Sequence, residues 1–214
     1  YRVLEKIKNS IPVCYLADHA DFALGIVTGN NKKFLSAEKT ENSEMVLKGT
    51  DICKYHINPA KQYLRFEPEQ FQQVAPLEIY RAPEKLLYRF ISNQLVVAYD
   101  DRQMLSLNSC NIVIPKIEGM QIKYILAILN SSVSQFVYQK EFHSIKVLRA
   151  HMEHIPIPRV GKAIQNEIIA MTEPLICGMG KEAAETCQKR LDCRIMDLFR
   201  LSAEEQWIIR HALH

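Results

Sequence analysis

The sequence predicts a mixed α/β (α+β) protein with a strand-rich first part and a helical end. Short apolar or β-branched runs bounded by polar residues recur within residues 1–160, as is typical of strands. Residues 162–214 are instead rich in Ala, Glu, Ile, Leu, Lys and Met and follow a helical pattern. Between the two parts, the prolines of "HIPIPRV" force an extended segment, because each excludes the preceding residue from the helical region.

Composition and charge are those of an ordinary soluble protein. Of the 214 residues, 48% are hydrophobic and 24% are charged. The net charge of +3 permits a polyanionic partner without requiring one. No apolar run approaches the roughly 18 residues that a membrane span needs, so we expect no membrane contact.

The cysteines and the first residue bear on the compartment and on the extent of the chain. The six cysteines include no C-x-x-C pair, which favours reduced thiols of a cytoplasmic protein over a disulfide framework. The chain begins at Tyr1 rather than at Met, and we expect it to be an excised or processed piece of a longer protein.

Three segments of the first part are strand candidates. "DFALGIVTG" is typical of a strand that enters a turn, and "QLVVAYDD" and "CNIVIPKI" are short apolar runs. The polar segment "DRQMLSLNS" between the last two predicts a hairpin tip. "PEKLLYRFIS" fits a helix or a strand equally well.

Helices are predicted in the second half of the chain. Ile122, Ile125 and Leu129 share one face, so a helix starts near Gln121 and either ends or meets a second helix at "NSS", residues 130–132. Breaks or kinks are expected at the helix-disrupting residues of the tail, which are Pro174, Gly178 and Gly180. In the last helix, Ser202 and Glu205 have the spacing of a capping box.

The glycine spacing of the turn "GIVTGNNKKFL" matches neither of two common nucleotide-binding motifs. A P-loop needs G-x-x-x-x-G-K-[ST], but here Gly25 and Gly29 are separated by three residues. The G-x-G-x-x-G dinucleotide pattern also fails, both here and at "CGMGK". Asn30 and Asn31 tolerate left-handed backbone, which predicts a tight turn that exposes Lys32 and Lys33. A plain hairpin and a contact with a polyanion both remain possible.

No catalytic or metal-binding constellation emerges. His151 and His154 could share a helical face, but no further ligand completes a metal site, and a structural role is favoured. No G-x-S-x-G nucleophile motif is present. "INPAKQY" departs from the Asn-Pro-Pro-aromatic motif of amino-group methyltransferases, because Ala60 replaces the second proline and no aromatic residue follows.

Basic and amide side chains in predicted loops are the remaining candidates for a binding surface. Lysine and arginine neutralise phosphates, while arginine and glutamine can bond base edges with two hydrogen bonds. For any one of them, a solvated surface charge is the alternative. The candidate DNA-binding residues are Lys32, Lys33, Lys48, Lys54, Arg65, Arg81, Arg102, Gln103 and Lys146.

The order of several segments resembles the TaqI-like C-terminal specificity domain, the target recognition domain of adenine-N6 DNA methyltransferases and restriction–modification enzymes. It is also similar to the specificity subunits of type I restriction systems. In chain order, the segments that carry the resemblance are "GIVTGNNKKFL", "LKGTDICKYHI", "APEKLLYRFISNQLVVAYDDRQMLSLNSCNIVIPK", "ILAILNSSVSQFVY", "LRAHMEHIPIP" and "LDCRIMDLFRLSAEEQWIIRHAL". In the last of these, Leu191 and Phe199-Arg200 replace the usual Ile and Tyr-Gly.

The resemblance implies a fold and a division of the chain. The fold would be a twisted, mostly antiparallel sheet flanked by helices. Residues 1–158 would form the DNA target recognition domain, and residues 159–214 a helical tail that spaces it from a partner domain. In such domains the turn after "TG" lies among the elements that face DNA, which for Lys32 and Lys33 favours the polyanion contact.

The resemblance also implies a function. The chain would recognise a specific sequence in double-stranded DNA on behalf of an adenine-N6 methyltransferase, possibly fused to an endonuclease. Catalysis and S-adenosylmethionine binding would belong to an upstream methyltransferase domain, so we expect this chain to be no enzyme and to hold no cofactor or metal. The alternative is a protein–protein interaction module that docks through its helical tail.

Overall fold

The chain folds into three layers, in which one β-sheet lies between a second sheet and a layer of helices. The structure is a computed structural model that describes residues 2–213. The strands are β1 (Val13–Cys14), β2 (Ala20–Ala23), β3 (Leu35–Ser36), β4 (Ser43–Leu47), β5 (Gln62–Arg65), β6 (Lys85–Arg89), β7 (Val97–Asp100), β8 (Leu105–Ser106), β9 (Cys110–Pro115) and β10 (Ile157–Pro158). The helices are α1 (Arg2–Asn9), α2 (Asn31–Phe34), α3 (Leu77–Tyr80), α4 (Ile122–Asn130), α5 (Ser132–Glu141), α6 (Arg149–Glu153), α7 (Lys162–Cys177), α8 (Lys181–Leu198) and α9 (Ala203–Ala212).

The predicted α/β class is confirmed, with two four-stranded sheets rather than one. The middle sheet has the order β2-β9-β6-β7 and is antiparallel throughout. The outer sheet has the order β3-β5-β4-β8 and is antiparallel except for the β4–β8 pair. The extended segment predicted at "HIPIPRV" is confirmed as β10, which pairs with β1.

The middle sheet is buried on both faces, and this explains why "PEKLLYRFIS" was ambiguous. In β6, Leu86 and Tyr88 pack against the helices, whereas Leu87 packs against the outer sheet. A strand covered on both faces has no polar positions to mark the two-residue period. The segment is therefore a strand whose apolar pattern is the same as that of a buried helix.

The hairpin predicted at residues 101–109 is wrong. β7 and β9 are not neighbours, because β6 lies between them. The connecting segment instead crosses to the outer sheet, where Leu105 and Ser106 form β8 parallel to β4. Both residues are fully buried. The polar composition misled because the hydroxyl of Ser106 lies in the interior.

Of the two alternatives at "NSS", the structure shows the junction between two helices, and this junction also joins the helices to the middle sheet. Asn130 Oδ1 accepts a hydrogen bond from Val97 N (3.1 Å), and its Nδ2 donates to Val97 O (2.8 Å). Ser131 caps α5 by accepting from Ser134 N. The Gln135 amide then binds both backbone groups of Leu95, at 2.8 and 3.0 Å. Two amide side chains therefore bond the backbone at the start of β7 and in the segment that leads into it.

The C-terminal helices pack onto the same core as the middle sheet. Ile168 of α7, Ile195 of α8 and Ile209 of α9 are fully buried in the cluster that holds α4 and α5. Pro174 lies within α7, and the predicted break falls at Gly178, whose φ of +81° ends the helix. The capping box predicted in α9 is confirmed. The boundary at residue 158 stays a prediction.

Residues 2–213 bear on two predictions made from composition, which concern membrane spans and cysteine pairing. Within them, no helix combines the length and the apolar character that a bilayer crossing requires. All six cysteines are unpaired, as the sequence predicts.

Replacing Asn130 tests the junction between the helices and the sheet. Asn130→Leu would leave Val97 N–H buried without an acceptor, and we expect the free energy of unfolding to fall by about 1–3 kcal/mol. Urea denaturation measures this. The control is Asn166→Leu, since Asn166 lies on the exposed face of α7 and bonds only the side chain of Gln121. Equal midpoints for the two variants would contradict the role of Asn130.

Candidate nucleic-acid interface

A cleft of about 510 Å³ lies where the N-terminal glycine-rich turn, the end of β4 and the segment Leu107–Ser109 meet. Two of the predicted DNA-binding lysines line it, together with three amide side chains that the sequence analysis did not select. Its lining residues are Asn31, Lys32, Leu35, Lys48, Gln62, Leu107, Asn108 and Ser109.

The wall that carries Lys32 is built by the first turn. Gly29 adopts a φ of +76°, and Thr28 Oγ1 both accepts from Asn30 N (3.1 Å) and donates to Asn31 Oδ1 (2.6 Å). Asn30 then caps the one-turn helix α2 by accepting from Lys33 N. The left-handed backbone expected at the asparagines is therefore wrong: the glycine takes it, and the asparagine side chains cap a helix.

The two lysines of this turn have different surroundings, although both are exposed as predicted. Lys32 lines the cleft. Lys33 Nζ donates to Gln70 Oε1 (2.6 Å) and lies 4.7 Å from the ring centroid of Phe34. Lys33 is therefore held against its own domain, and Lys32 is the cation that this turn presents to the cleft.

The opposite wall is built by "LKGTDI". Asp51 Oδ2 accepts from Lys48 N (2.9 Å), while Gly49 N donates to Ser109 Oγ (2.9 Å). Arg89 Nε donates to the carbonyl oxygen of Gly49 at 3.0 Å. These hydrogen bonds fix the backbone of Lys48 and Gly49, and therefore the position from which the Lys48 side chain projects.

Two glycines allow these walls to approach the segment Leu107–Ser109. A methyl group on Gly25 would lie 2.0 Å from the carbonyl oxygen of Leu107, and one on Gly49 would lie 2.6 Å from that of Ser109. Both distances are shorter than non-bonded atoms tolerate. Glycine at both positions is therefore required by close approach of the backbone.

A second group of predicted residues lies at the other end of β4. Arg81 binds both carboxylate oxygens of Glu44 (2.6 and 2.8 Å) and donates to the carbonyl oxygen of Gln103 (2.7 Å). The side chains of Arg102 and Gln103 are exposed. Arg65 pairs in register with Ser43, also at this end of β4. Arg81 is therefore a structural clamp, and the loop it holds presents Arg102 and Gln103.

A buried ion pair shapes this loop. Lys85 Nζ lies 2.5 Å from Asp100 Oδ2, and both side chains are fully buried. Asp100 also accepts from the backbone N–H groups of Arg102 and Met104, each at 2.9 Å. Burial lowers the pKa of Lys85, and the Asp100 carboxylate opposes that shift. The loop is thus a rigid mount, although no hairpin is present.

The two remaining predicted DNA-binding residues, Lys146 and Lys54, lie outside both the cleft and the loop that holds Arg102 and Gln103. Lys146 is exposed beside Ile91, with which it forms a short bridge. Lys54 faces Asp192 of α8, and burial lowers its pKa. Of the predicted residues, only Lys32 and Lys48 therefore share a cleft, and Lys54 belongs to the contact with the helical layer.

The amides of the cleft were missed because their segments were assigned to other roles. Asn108 lies in a segment whose polar composition predicts a hairpin tip, and Gln62 lies in β5, a strand that the sequence pattern does not predict. A signal was nonetheless present, since Asn108-Ser109 directly precedes a strongly apolar strand.

The two histidines of "HMEH" have structural roles, as predicted. His151 Nδ1 accepts from Leu148 N at the start of α6, and His154 Nδ1 bonds the carbonyl oxygen of Ala150. Burial lowers the pKa of His151. Between residues 2 and 213 no cluster of three metal-ligating side chains occurs.

Comparison with known proteins identifies relatives of this fold. The family model described as "TaqI-like C-terminal specificity domain" matches residues 44–157, just over half of the chain. Comparison with the curated proteins yields no match.

Two solved structures illustrate the fold. One comes from work on complex assembly and conformational transition of a type I restriction–modification system; it has a TM-score of 0.53 and 13% identity, and the match covers 99% of this chain and 50% of that chain. The other is the type IIL restriction–modification enzyme MmeI in complex with DNA, with a TM-score of 0.60, 11% identity and coverage of 92% and 35%. This chain therefore spans half or less of the length of these structures.

Replacing Gly25 tests the close approach that forms the cleft. Gly25→Ala forces the backbone of Leu107 to move, and we expect a loss of about 1–3 kcal/mol in the free energy of unfolding, as for other overpacked sites. The control is Gly161→Ala, because no atom lies within 4 Å of the added methyl group. It should cost less than about 1 kcal/mol, the weak preference for glycine at a helix N-cap. Chemical denaturation compares the two, and a Gly25→Ala variant as stable as the control would refute the contact.

Proposed function

This chain belongs to the family of TaqI-like C-terminal specificity domains, and from that premise we propose that it recognises a specific sequence in double-stranded DNA for a restriction–modification enzyme. The observation that carries the proposal is the cleft between the glycine-rich turn and β4. It combines two cations, Lys32 and Lys48, with the amides of Asn31, Gln62 and Asn108.

The chemistry of the cleft suits DNA because it supplies both kinds of contact that recognition needs. Lysine is a mobile point charge, so Lys32 and Lys48 would neutralise phosphates and position the domain. An asparagine or glutamine amide can donate and accept at once, so Gln62 and Asn108 would bond base edges. The loop with Arg102 and Gln103 would add a second group of base contacts at the other end of β4.

The division of labour with a parent enzyme extends this proposal. Catalysis and S-adenosylmethionine binding would reside in an upstream adenine-N6 methyltransferase domain, possibly fused to an endonuclease. This chain would supply recognition without chemistry. Its "INPAKQY" segment supports that assignment, because it lacks the second proline and the aromatic residue of the Asn-Pro-Pro-aromatic motif.

Salt dependence tests the phosphate contacts. If about four to six cations neutralise phosphates, log K should fall with log salt with a slope of roughly −4 to −5. The Lys32→Ala, Lys48→Ala double variant should flatten that slope by about two contacts on any DNA sequence. Fluorescence anisotropy with a duplex at several salt concentrations measures it.

The matched control for salt dependence is Lys162→Ala with Lys181→Ala. It removes the same charge from exposed positions of the helical tail. The proposal requires that the control slope equal that of the unaltered chain. If both double variants flatten the slope equally, only the net charge is responsible and the cleft is not the interface.

Base recognition is tested by selecting binding sites from random duplex DNA. Asn108→Ala should relax the requirement at one base position and cost about 1–3 kcal/mol on the preferred site. Arg102→Ala and Gln103→Ala should relax other positions by similar amounts. Asn9→Ala, on the exposed face of α1, should leave the selected sequence unchanged. An unchanged sequence for all variants would exclude both groups from base reading.

A further inference from the structure

A small hairpin, residues 52–57, lies beside the edge strand β7 of the middle sheet and contains a strained residue. Ile52 and Ile57 form an antiparallel bridge, and Tyr55 at the tip adopts a φ of +74°. A bulky side chain rarely adopts this conformation, which persists only where the surroundings impose it. Here Tyr55 N donates to Val97 O (2.7 Å) and its carbonyl accepts from Tyr99 N (3.1 Å), so the hairpin tip is fixed against the edge of β7.

Unsatisfied polar atoms gather around this tip. Within residues 2–213, four buried side-chain polar atoms have no hydrogen-bond partner, and three of them are Tyr55 Oη, Ser132 Oγ and Gln188 Nε2. Gln188 lies beside the Tyr55 hydroxyl, and Gln188 and Ser132 both lie beside the Asp192 carboxylate, where hydrogen bonding opposes the rise that burial causes in the pKa of Asp192. Buried polar groups are nearly always well bonded, so this cluster of poorly satisfied groups is unusual.

Two adjacent cavities are lined by the residues of this cluster. One, of about 540 Å³, is lined by Lys54, Ser132, Lys189 and Arg210, and the other, of about 500 Å³, by Tyr55 and Gln188. Lys54 and Lys189 line both. The second cavity continues over an apolar wall formed by Leu175, Met179 and Ala184.

The charges at the cavities are mainly positive. Lys54, Lys189 and Arg210 outnumber the acidic groups Asp192 and Glu185. In the described part of the chain, Lys54 makes no ion pair within 4.0 Å, although it lies near enough to Asp192 for the two charges to interact. A half-buried ammonium group without a close counter-ion is costly, and an anion would relieve that cost.

We propose that the two cavities form one binding site for a small amphipathic oxyanion, a phosphate or carboxylate group on an apolar body. The oxygens of the anion accept hydrogen bonds from Lys54, Lys189 and Arg210. The apolar body lies against Leu175 and Met179. The site is distinct from the nucleic-acid cleft, since the two share no lining residue.

Isothermal titration of the whole chain, without nucleic acid, tests the site with defined probes. Phenyl phosphate and benzoate combine an oxyanion with an apolar ring, inorganic phosphate has only the anion, and benzyl alcohol has only the ring. We expect saturable binding of at least one of the two ring-bearing anions, tighter than that of inorganic phosphate, and no binding of benzyl alcohol. Comparing phenyl phosphate with benzoate distinguishes phosphate from carboxylate ligands. No saturable binding of either, or equal binding of benzyl alcohol, would overturn the proposal.

Variants of the lysines that line the cavities locate the bound anion. Lys189→Gln should weaken binding on the order of tenfold, the usual loss for a hydrogen bond to a charged group. Lys181→Gln is the matched control, because Lys181 is also an exposed lysine of α8 but lines neither cavity. Lys54→Gln should weaken binding by a similar factor, because Lys54 lines both cavities. If Lys189→Gln and Lys54→Gln both bind like the unaltered chain, the anion is held elsewhere and the proposal fails. Because no DNA is present, the result is independent of DNA recognition.

Discussion

Two amide side chains, Asn130 and Gln135, bind the backbone at the start of β7 and in the segment that leads into it, as a neighbouring strand would. Each satisfies both the N–H and the carbonyl oxygen of one residue, Val97 and Leu95 respectively. The pairing fixes the rotation and the height of α4 and α5 on the sheet. α7, α8 and α9 pack on those two helices, so their positions follow from the same pairing. The motif "NSS" therefore organises the helical layer, with Ser132 N adding a hydrogen bond to Asp192 of α8 (2.8 Å).

The buried pair Lys85–Asp100 shows how an interior charge can fix the conformation of an exposed loop. An ion pair of this kind stabilises a fold little, because desolvation of both charges offsets their attraction. Its geometric effect is larger, because the second role of Asp100 is to accept two backbone N–H groups of the adjacent loop. The conformation of an exposed loop is thus determined from inside the sheet. Arg81 secures the same loop from its outer side.

Local signals predicted local structure well, and failures occurred where long-range contacts decided. The capping box at Ser202 and the extended "IPIP" segment depend on neighbours in sequence, and both were correct. The crossing of Leu105-Ser106 to the second sheet depends on pairing with β4, about sixty residues away, and no periodicity reveals it. The candidate site follows the same rule. Lys32 and Lys48 could be selected as cations, but only the folded chain shows that they share a cleft and that Lys54 does not.

The residues that build the cleft around Leu107–Ser109 are different from the residues that face a ligand. Gly25 and Gly49 act through close backbone contacts, and Asp51 acts through its carboxylate, which accepts from Lys48 N. Lys32 and Asn108 project from this frame into solvent and contribute nothing to its construction. Random mutation at the projecting positions would therefore alter the preference of the cleft without a penalty in folding. Such a surface can diversify quickly in evolution, and it offers a small set of positions for a library that seeks new specificities on an unchanged scaffold.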